Sequence, residues 1–533
     1  MKFNFRIITI LGFAGTLFLG CGSTGAILST PIENIDSAPL KVTALTDAEA
    51  KNWGHLDLVN DTIPGMSVNK AYTEIIKNKK GTKVIVAVID SGIDIDHEDL
   101  RNVLWTNEDE IPNNGIDDDN NGYIDDIHGW NFLGDGYDEQ LEYVRLIASG
   151  DTSNPRYDEA VALQKEEYET YLGAKTRYEQ IINVLKSADE KLITHFGKKD
   201  YTIEEVNAIK TEDELLGQAV QIAQNIHANG GTFEEAIAEV SAPLEGFNER
   251  LNYHFNVDFS GRTTKDDIND LSDKGYGNGN VKPVKKSESH GTHVAGIIAA
   301  ERNNGKGANG IANNVEIMSV RTVPNGDEYD KDVALAIRYA VDNGAKVING
   351  SFGKSFSPHP EWVRDAIKYA SDNDVVFVHA AGNDSKNVDE GANFPDDNVN
   401  FVEISNTYIR VGSLTSKYGS KIVSGFSNYG KKNVDVFAPG SDIYSTFPEN
   451  DYESISGTSM ASPAVAGVVA LVRSYYPKLT AAQVKQVILE SGLPITTKVV
   501  VGGDASNVKS FSDLSTSGRI VNAYNALIMA SKL

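Results

Sequence analysis

Six consecutive apolar residues, Val84-Ile85-Val86-Ala87-Val88-Ile89, stand between Gly81 and Gly92, and all but Ala87 are β-branched. A run without a polar face cannot lie half in solvent. It is also too short for a buried helix, so it reads as a strand covered on both faces, as in a parallel sheet. Similar runs recur at residues 315–320, 346–348, 375–378, 408–411 and 434–437, with helical apolar spacing at 332–343 and 362–371 between them. Strands alternating with helices predict a doubly wound, mostly parallel α/β fold. The chain is 40% hydrophobic, enough for a large core.

This rhythm breaks at about residues 134–255. Tyr168, Tyr171, Leu172, Tyr178, Ile181, Ile182 and Leu185 fall at helical spacing among many charges, and residues 215–226 and 233–240 repeat the pattern. A helical insertion is expected here, with loops near Gly230-Gly231 and over 261–287, and its tyrosines read as packing residues. The remaining chain from 46 to 533 reads as one domain interrupted by it.

Three segments carry chemistry. Asp90 closes the first buried strand, at the carboxyl edge where α/β sheets bind ligands. His290-Gly291-Thr292-His293-Val294-Ala295-Gly296 opens an apolar helix, with His290 at its start and His293 one turn further in as a structural histidine. Ser456-Gly457-Thr458-Ser459-Met460-Ala461-Ser462-Pro463 opens another, placing Ser459 where helix N–H groups favour a developing oxyanion. Ala461, Ala464, Gly467 and Ala470 give that helix a small-residue face suited to close packing.

In the order Asp, His, Ser, these blocks resemble the subtilisin-like serine peptidases, over residues 50–133 and 285–530. The resemblance implies a serine endopeptidase with Ser459 as nucleophile, His290 as general base and acid, and Asp90 orienting the imidazole. It further implies that Asn383, in Ala380-Ala381-Gly382-Asn383, donates to the oxyanion, and that Ala381 and Gly382 border the substrate. Ser351, Phe352 and Gly353 resemble the segment that pairs with the substrate backbone and walls the pocket for the residue before the cut; the family more often has Leu at the place of Phe352. The competing reading is a non-catalytic exported binding protein on the same scaffold, against which all four positions are filled. A metalloprotease is disfavoured because no His-Glu-x-x-His occurs. The insertion departs from the family pattern and is expected to flank the cleft and limit access to it.

Residues 117–126, Asp-Asp-Asp-Asn-Asn-Gly-Tyr-Ile-Asp-Asp, place oxygen ligands at alternate positions with Gly at the sixth, the way a calcium loop begins. Asp117, Asp119, Asn121, the Tyr123 carbonyl and Asp126 (or Asp125) are the expected ligands of one ion. His128 at the twelfth position excludes an EF-hand. The family resemblance suggests a second calcium site near Asp99 and Asn303. The formal net charge of −26, from 49 basic and 75 acidic residues, disfavours nucleic acid as a partner. No organic cofactor is implied; a protein or peptide substrate is.

At the start of the chain, Lys2 and Arg6 precede an apolar run over 7–20 and then Cys21, the sole cysteine. Residues 1–20 have the layout of a secretory signal and are too few to span a bilayer well. Phe18-Leu19-Gly20-Cys21 resembles a bacterial lipoprotein signal, implying lipidation of Cys21, a tether over 21–45, and an exported protein anchored to a membrane that faces the periplasm or the cell surface. Only 68 residues separate Cys21 from Asp90, so folding without a typical pro-domain is expected.

Overall fold

The computed structural model describes residues 29–33, 35, 39–400 and 402–533. The expected signal segment and Cys21 lie outside the described residues. Nine strands form one sheet, in the order Leu493–Pro494, Arg519–Ile520, Val436–Pro439, Tyr408–Leu414, Val376–Ala380, Val347–Gly350, Val84–Asp90, Val315–Arg321 and Gly129–Asn131. Neighbouring strands are parallel except for Leu493–Pro494 against Arg519–Ile520. The α/β expectation holds.

The apolar runs build this sheet because each strand serves two layers. Along Val84–Asp90, Val84, Val86 and Val88 enter one apolar cluster, while Ala87 and Ile89 enter the other. The first cluster takes in helices His290–Ala299, Thr458–Tyr475, Ala481–Ser491 and Ala523–Ala530; the second takes in Asp330–Asp342 and Pro360–Asp372. Gly467, on the small-residue face of Thr458–Tyr475, sits where a Cβ would come 2.7 Å from the Ile311 Cβ. The chain leaves Val84–Asp90 for Gly129–Asn131 and Val315–Arg321 on one side and then crosses to Val347–Gly350 on the other. Asp90 therefore ends its strand at the switch point of the sheet, the usual ligand-binding position in this architecture.

Two glycines let the histidine helix reach that strand end. A Cβ on Gly291 would lie 2.3 Å from the Gly92 carbonyl oxygen, and Gly92 itself has φ +105. A side chain at the first would push the helix away, and at the second would strain the backbone.

Between the sheet strands the chain folds into helices Glu142–Ser149, Tyr157–Phe196, Ile203–Ala208, Glu214–Ala228, Phe233–Ser241 and Pro243–Glu249. Tyr157–Phe196 has 40 residues and contains no proline, so it extends about 60 Å. One part of it joins the body through a cluster of Tyr143, Val144, Ala160, Phe255 and Phe356. Further along, Leu185, Ala188 and Leu192 form a separate small core with Val206, Leu216, Ala219, Ala223 and Phe233.

Candidate active site

The Asp90 backbone is fixed by two donors from the neighbouring strand's exit, Thr322 N at 2.8 Å and Val323 N at 3.2 Å. Its side chain is 1% exposed. Asp90 Oδ1 accepts from the Ser91 N–H at 2.8 Å and lies 2.7 Å from His290 Nδ1. His290 is the first residue of a helix whose next nine residues are all buried, yet its own side chain is 37% exposed. With Nδ1 donating to the carboxylate, Nε2 carries the free lone pair. Burial acts against the charged ring, while the Asp90 charge and hydrogen bond act for it; the net effect raises the His290 pKa above 6.5. His293 is fully buried, bonded through Nε2 to the Glu453 carbonyl at 3.1 Å, and burial lowers its pKa to about 4. It is structural.

Ser459 alone in the stretch from Thr458 to Ser474 is not buried. It occupies the first turn, where backbone N–H groups have no intrahelical partner. Its Oγ donates to the Ser351 carbonyl at 3.2 Å, and Ser351 Oγ donates to the Ser459 carbonyl at 2.9 Å. Asn383 Oδ1 accepts from Thr458 N at 2.9 Å and Thr458 Oγ1 at 3.0 Å. Those donors fix the orientation of the amide. With its oxygen committed, the nitrogen must point away from Thr458 with both hydrogens available. A Cβ on Gly457 would stand 3.6 Å from that nitrogen.

The substrate candidates divide by backbone direction. Phe352 O accepts from His379 Nε2, and Lys354 exchanges two 2.9 Å bonds with Phe394, so both turn away from the cleft. Ser351 and the exposed Gly353 then turn toward it. Gly382 donates its N–H to Thr458 Oγ1 at 3.0 Å and borders the cleft. Ala381 is fully buried in the cluster around Phe437, so its side chain does not face a substrate. A groove of about 490 Å3 runs from Ser459, Asn383 and Gly382 past Phe352 and Gly353.

Sequence reasoning passed over Arg321, which ends the strand beside Asp90. Its side chain is wholly buried. Nε donates to Glu288 Oε1 at 2.8 Å and to the Ser91 carbonyl at 3.1 Å. The remaining nitrogens donate to Glu288, Asn131 Oδ1 and the Gly134 and Gly136 carbonyls. Burial raises the Glu288 pKa to about 7 against the opposing charge of Arg321. One guanidinium thus ties together the residue after Asp90, the segment leading to His290 and the start of the insertion. A cation at the end of a strand that is buried at every position but Glu316 was the visible clue.

In the acidic loop, Glu110, Asp119 and Asp126 each offer a carboxylate oxygen within 4.8 Å of the others. Burial raises the pKa of the fully buried Asp126 to about 6. Three converging oxygens around a poorly solvated carboxylate fit a hard cation. Of the expected ligands, Asp119 and Asp126 are in this group, and Asn121 Nδ2 reaches both, at 3.0 and 3.1 Å. Asp117 instead accepts from the Asn121 and Gly122 N–H groups, and the Tyr123 ring packs on Trp130, Phe132 and Tyr339. Glu110 was missed because it precedes the repeating acidic pattern. Asp99 is 1% exposed and bonds to Asn304, while the Asn303 N–H bonds to Asn309.

Residues 81–508 match the Subtilase family. The chain belongs to this family. A thermophilic serine proteinase from Bacillus sp. (strain AK1) is 46% identical over 188 residues, 35% of this chain and 43% of that relative. Thermitase from Thermoactinomyces vulgaris is 40% identical over 196 residues, 37% of this chain and 64% of its own length. Subtilisin DY from Bacillus licheniformis is 34% identical over 222 residues, 42% of this chain and 76% of that protein. The match thus spans less than half of the first relative. The long helix Tyr157–Phe196 and its companions lie within the stretch that separates Asp90 from His290 in this subtilase.

Proposed function

We propose that this subtilase is an exported serine endopeptidase that cuts proteins through an acyl-enzyme at Ser459. The pairing of Asp90 with His290 Nδ1, which leaves Nε2 as a base, is the observation that carries this reading. Ser459 Oγ turns from the Ser351 carbonyl toward Nε2, gives up its proton and attacks the substrate carbonyl carbon. The carbonyl oxygen becomes an oxyanion, held by Asn383 Nδ2 and the Ser459 N–H. His290 then protonates the leaving amine as the peptide C–N bond breaks. Water, deprotonated by His290, releases the acyl group and restores Ser459. The reading is tested by hydrolysis of an unfolded protein such as casein, which Ser459→Ala must abolish. Asn383→Ala is expected to lower kcat about 100- to 1000-fold with KM little changed, because the amide acts on charge present only in the transition state. Unchanged kcat would remove Asn383 from the mechanism.

Calcium is proposed as a structural ion held by Glu110, Asp119 and Asp126, supplying charge compensation to the loop that enters the Gly129–Asn131 strand. Calcium at a hundredfold excess over its Kd should stabilise the chelator-treated protein by about 2.7 kcal/mol. Thermal unfolding with and without calcium measures this. Asp126→Asn should erase the gain, and equal Tm values for the wild-type chain would refute the site. Export and lipidation of Cys21 complete the proposal. Palmitate labelling in a bacterial host that is lost in Cys21→Ser would support the anchor, and retained labelling would exclude it.

A further inference from the structure

We infer that His379, in the strand Val376–Ala380, is a positioning residue for the substrate: its imidazole holds the Phe352 carbonyl away from the cleft and so keeps the Gly353 N–H aimed at the substrate backbone. The inference rests on the peptidase reading of the cleft. His379 is fully buried and pairs in register with Gly350, two residues before Phe352. Its Nε2 lies 2.8 Å from the Phe352 carbonyl oxygen. That oxygen and the Gly353 N–H belong to one planar trans peptide and point in opposite directions. Whatever fixes the first therefore fixes the second. Gly353 has no Cβ to resist rotation of this peptide, so the hold must come from a partner.

The partners of the ring determine where its proton sits. A carbonyl only accepts, so Nε2 carries the hydrogen. Burial and the Arg410 charge lower the His379 pKa to about 3, so the ring is neutral and Nδ1 is an acceptor. Tyr408 Oη stands 2.8 Å from Nδ1 and donates to it. The Pro395 carbonyl, 3.0 Å from the same hydroxyl, takes its donor from Arg410 Nη2 at 2.7 Å. Tyr408 and Arg410 are themselves buried. Pro395 follows Phe394, which exchanges two 2.9 Å bonds with Lys354. One buried relay thus braces the substrate-pairing segment at Phe352 and, through residues 394–395, at Lys354. Without the imidazole, the buried Phe352 carbonyl regains a partner only by rotating, and the Gly353 N–H leaves the cleft with it.

The test titrates fluorescein-labelled Ala-Ala-Ala-Phe-amide, by anisotropy, against the full chain carrying Ser459→Ala, which cannot turn over. A peptide antiparallel to Ser351 and Gly353 sets its last residue against Ser351 and its third from last against Gly353. A second peptide carries an N-methyl group on that third-from-last residue, which breaks its pair of backbone bonds with Gly353. Methylation should weaken binding about tenfold. Adding His379→Leu should bring the unmethylated peptide down to the affinity of the methylated one, erasing the difference. His379→Gln offers an amide donor to the same carbonyl and should restore it, whereas a merely structural role would move both peptides together. Equal binding of the two peptides to the parent, a methylation penalty that survives His379→Leu, or one that His379→Gln fails to restore would overturn the inference. A parent that binds neither peptide would instead contradict the peptidase reading on which the inference rests.

Discussion

Asp90→Asn lowers kcat about 10,000-fold while the protein stays folded. The neutral amide offers His290 a donor where the carboxylate offers an acceptor, so the imidazole carries its proton on the wrong nitrogen and the forming imidazolium loses its counter-charge. The pH profile must move as well. Asp90 holds the His290 pKa above 6.5, so the wild-type acidic limb lies above that value and activity falls as pH drops through it. Without the carboxylate, burial dominates and the limb moves below 6.5. The same pairing stabilises the fold below pH 6.5, and that contribution fades as pH rises through the raised pKa. A kcat within tenfold of wild type, or an acidic limb that does not move, would contradict the role assigned to Asp90.

Arg321→Met destabilises the fold by about 3–5 kcal/mol in urea unfolding. The variant leaves Glu288, 4% exposed, without its counter-ion, and removes the Arg321 donor from the Ser91 and Gly136 carbonyls, while the Gly134 carbonyl keeps the Asn131 amide at 2.8 Å. The loss should be larger at pH 8 than at pH 5. Glu288 already has a raised pKa of about 7, so its charged form costs stability as pH rises from the unfolded value toward the folded one. Removing Arg321 raises that pKa further, whereas protonation at pH 5 relieves the cost. Glu288→Met added to Arg321→Met should recover part of the loss. A cost below 1 kcal/mol at pH 8 would mean that the buried pair contributes nothing to holding the site.

The sheet was legible because strands buried on both faces must be continuously apolar, and Val84 through Ile89 leave no other solution. The edge strand Gly129–Asn131 was not, because three residues after an acidic loop carry no period. The hairpin Ile443–Phe447 with Asp451–Ile455 was also missed: its partly exposed residues lack an apolar run, although Ser445 and Thr446 support the histidine helix by donating to the His293 and Thr292 carbonyls. At the site, Asp90, His290, Ser459 and Asn383 stood out because each ends or opens an element beside a distinctive motif. Arg321 acts through partners far away in sequence, and Glu110 stands just before the repeating acidic pattern it joins, so their roles appear only once the chain is folded. Likewise, helical spacing marked the insertion, but not that its residues Tyr143, Leu163 and Phe255 extend the groove from Ser459.

Labelling of the full chain with a fluorophosphonate probe, beside Ser459→Ala, tests the central claim most directly. A serine activated by His290 predicts one covalent adduct per chain at Ser459, formed faster as pH rises through the His290 titration and absent from the variant. An unlabelled, folded wild-type protein, or equal labelling of the variant, would contradict it.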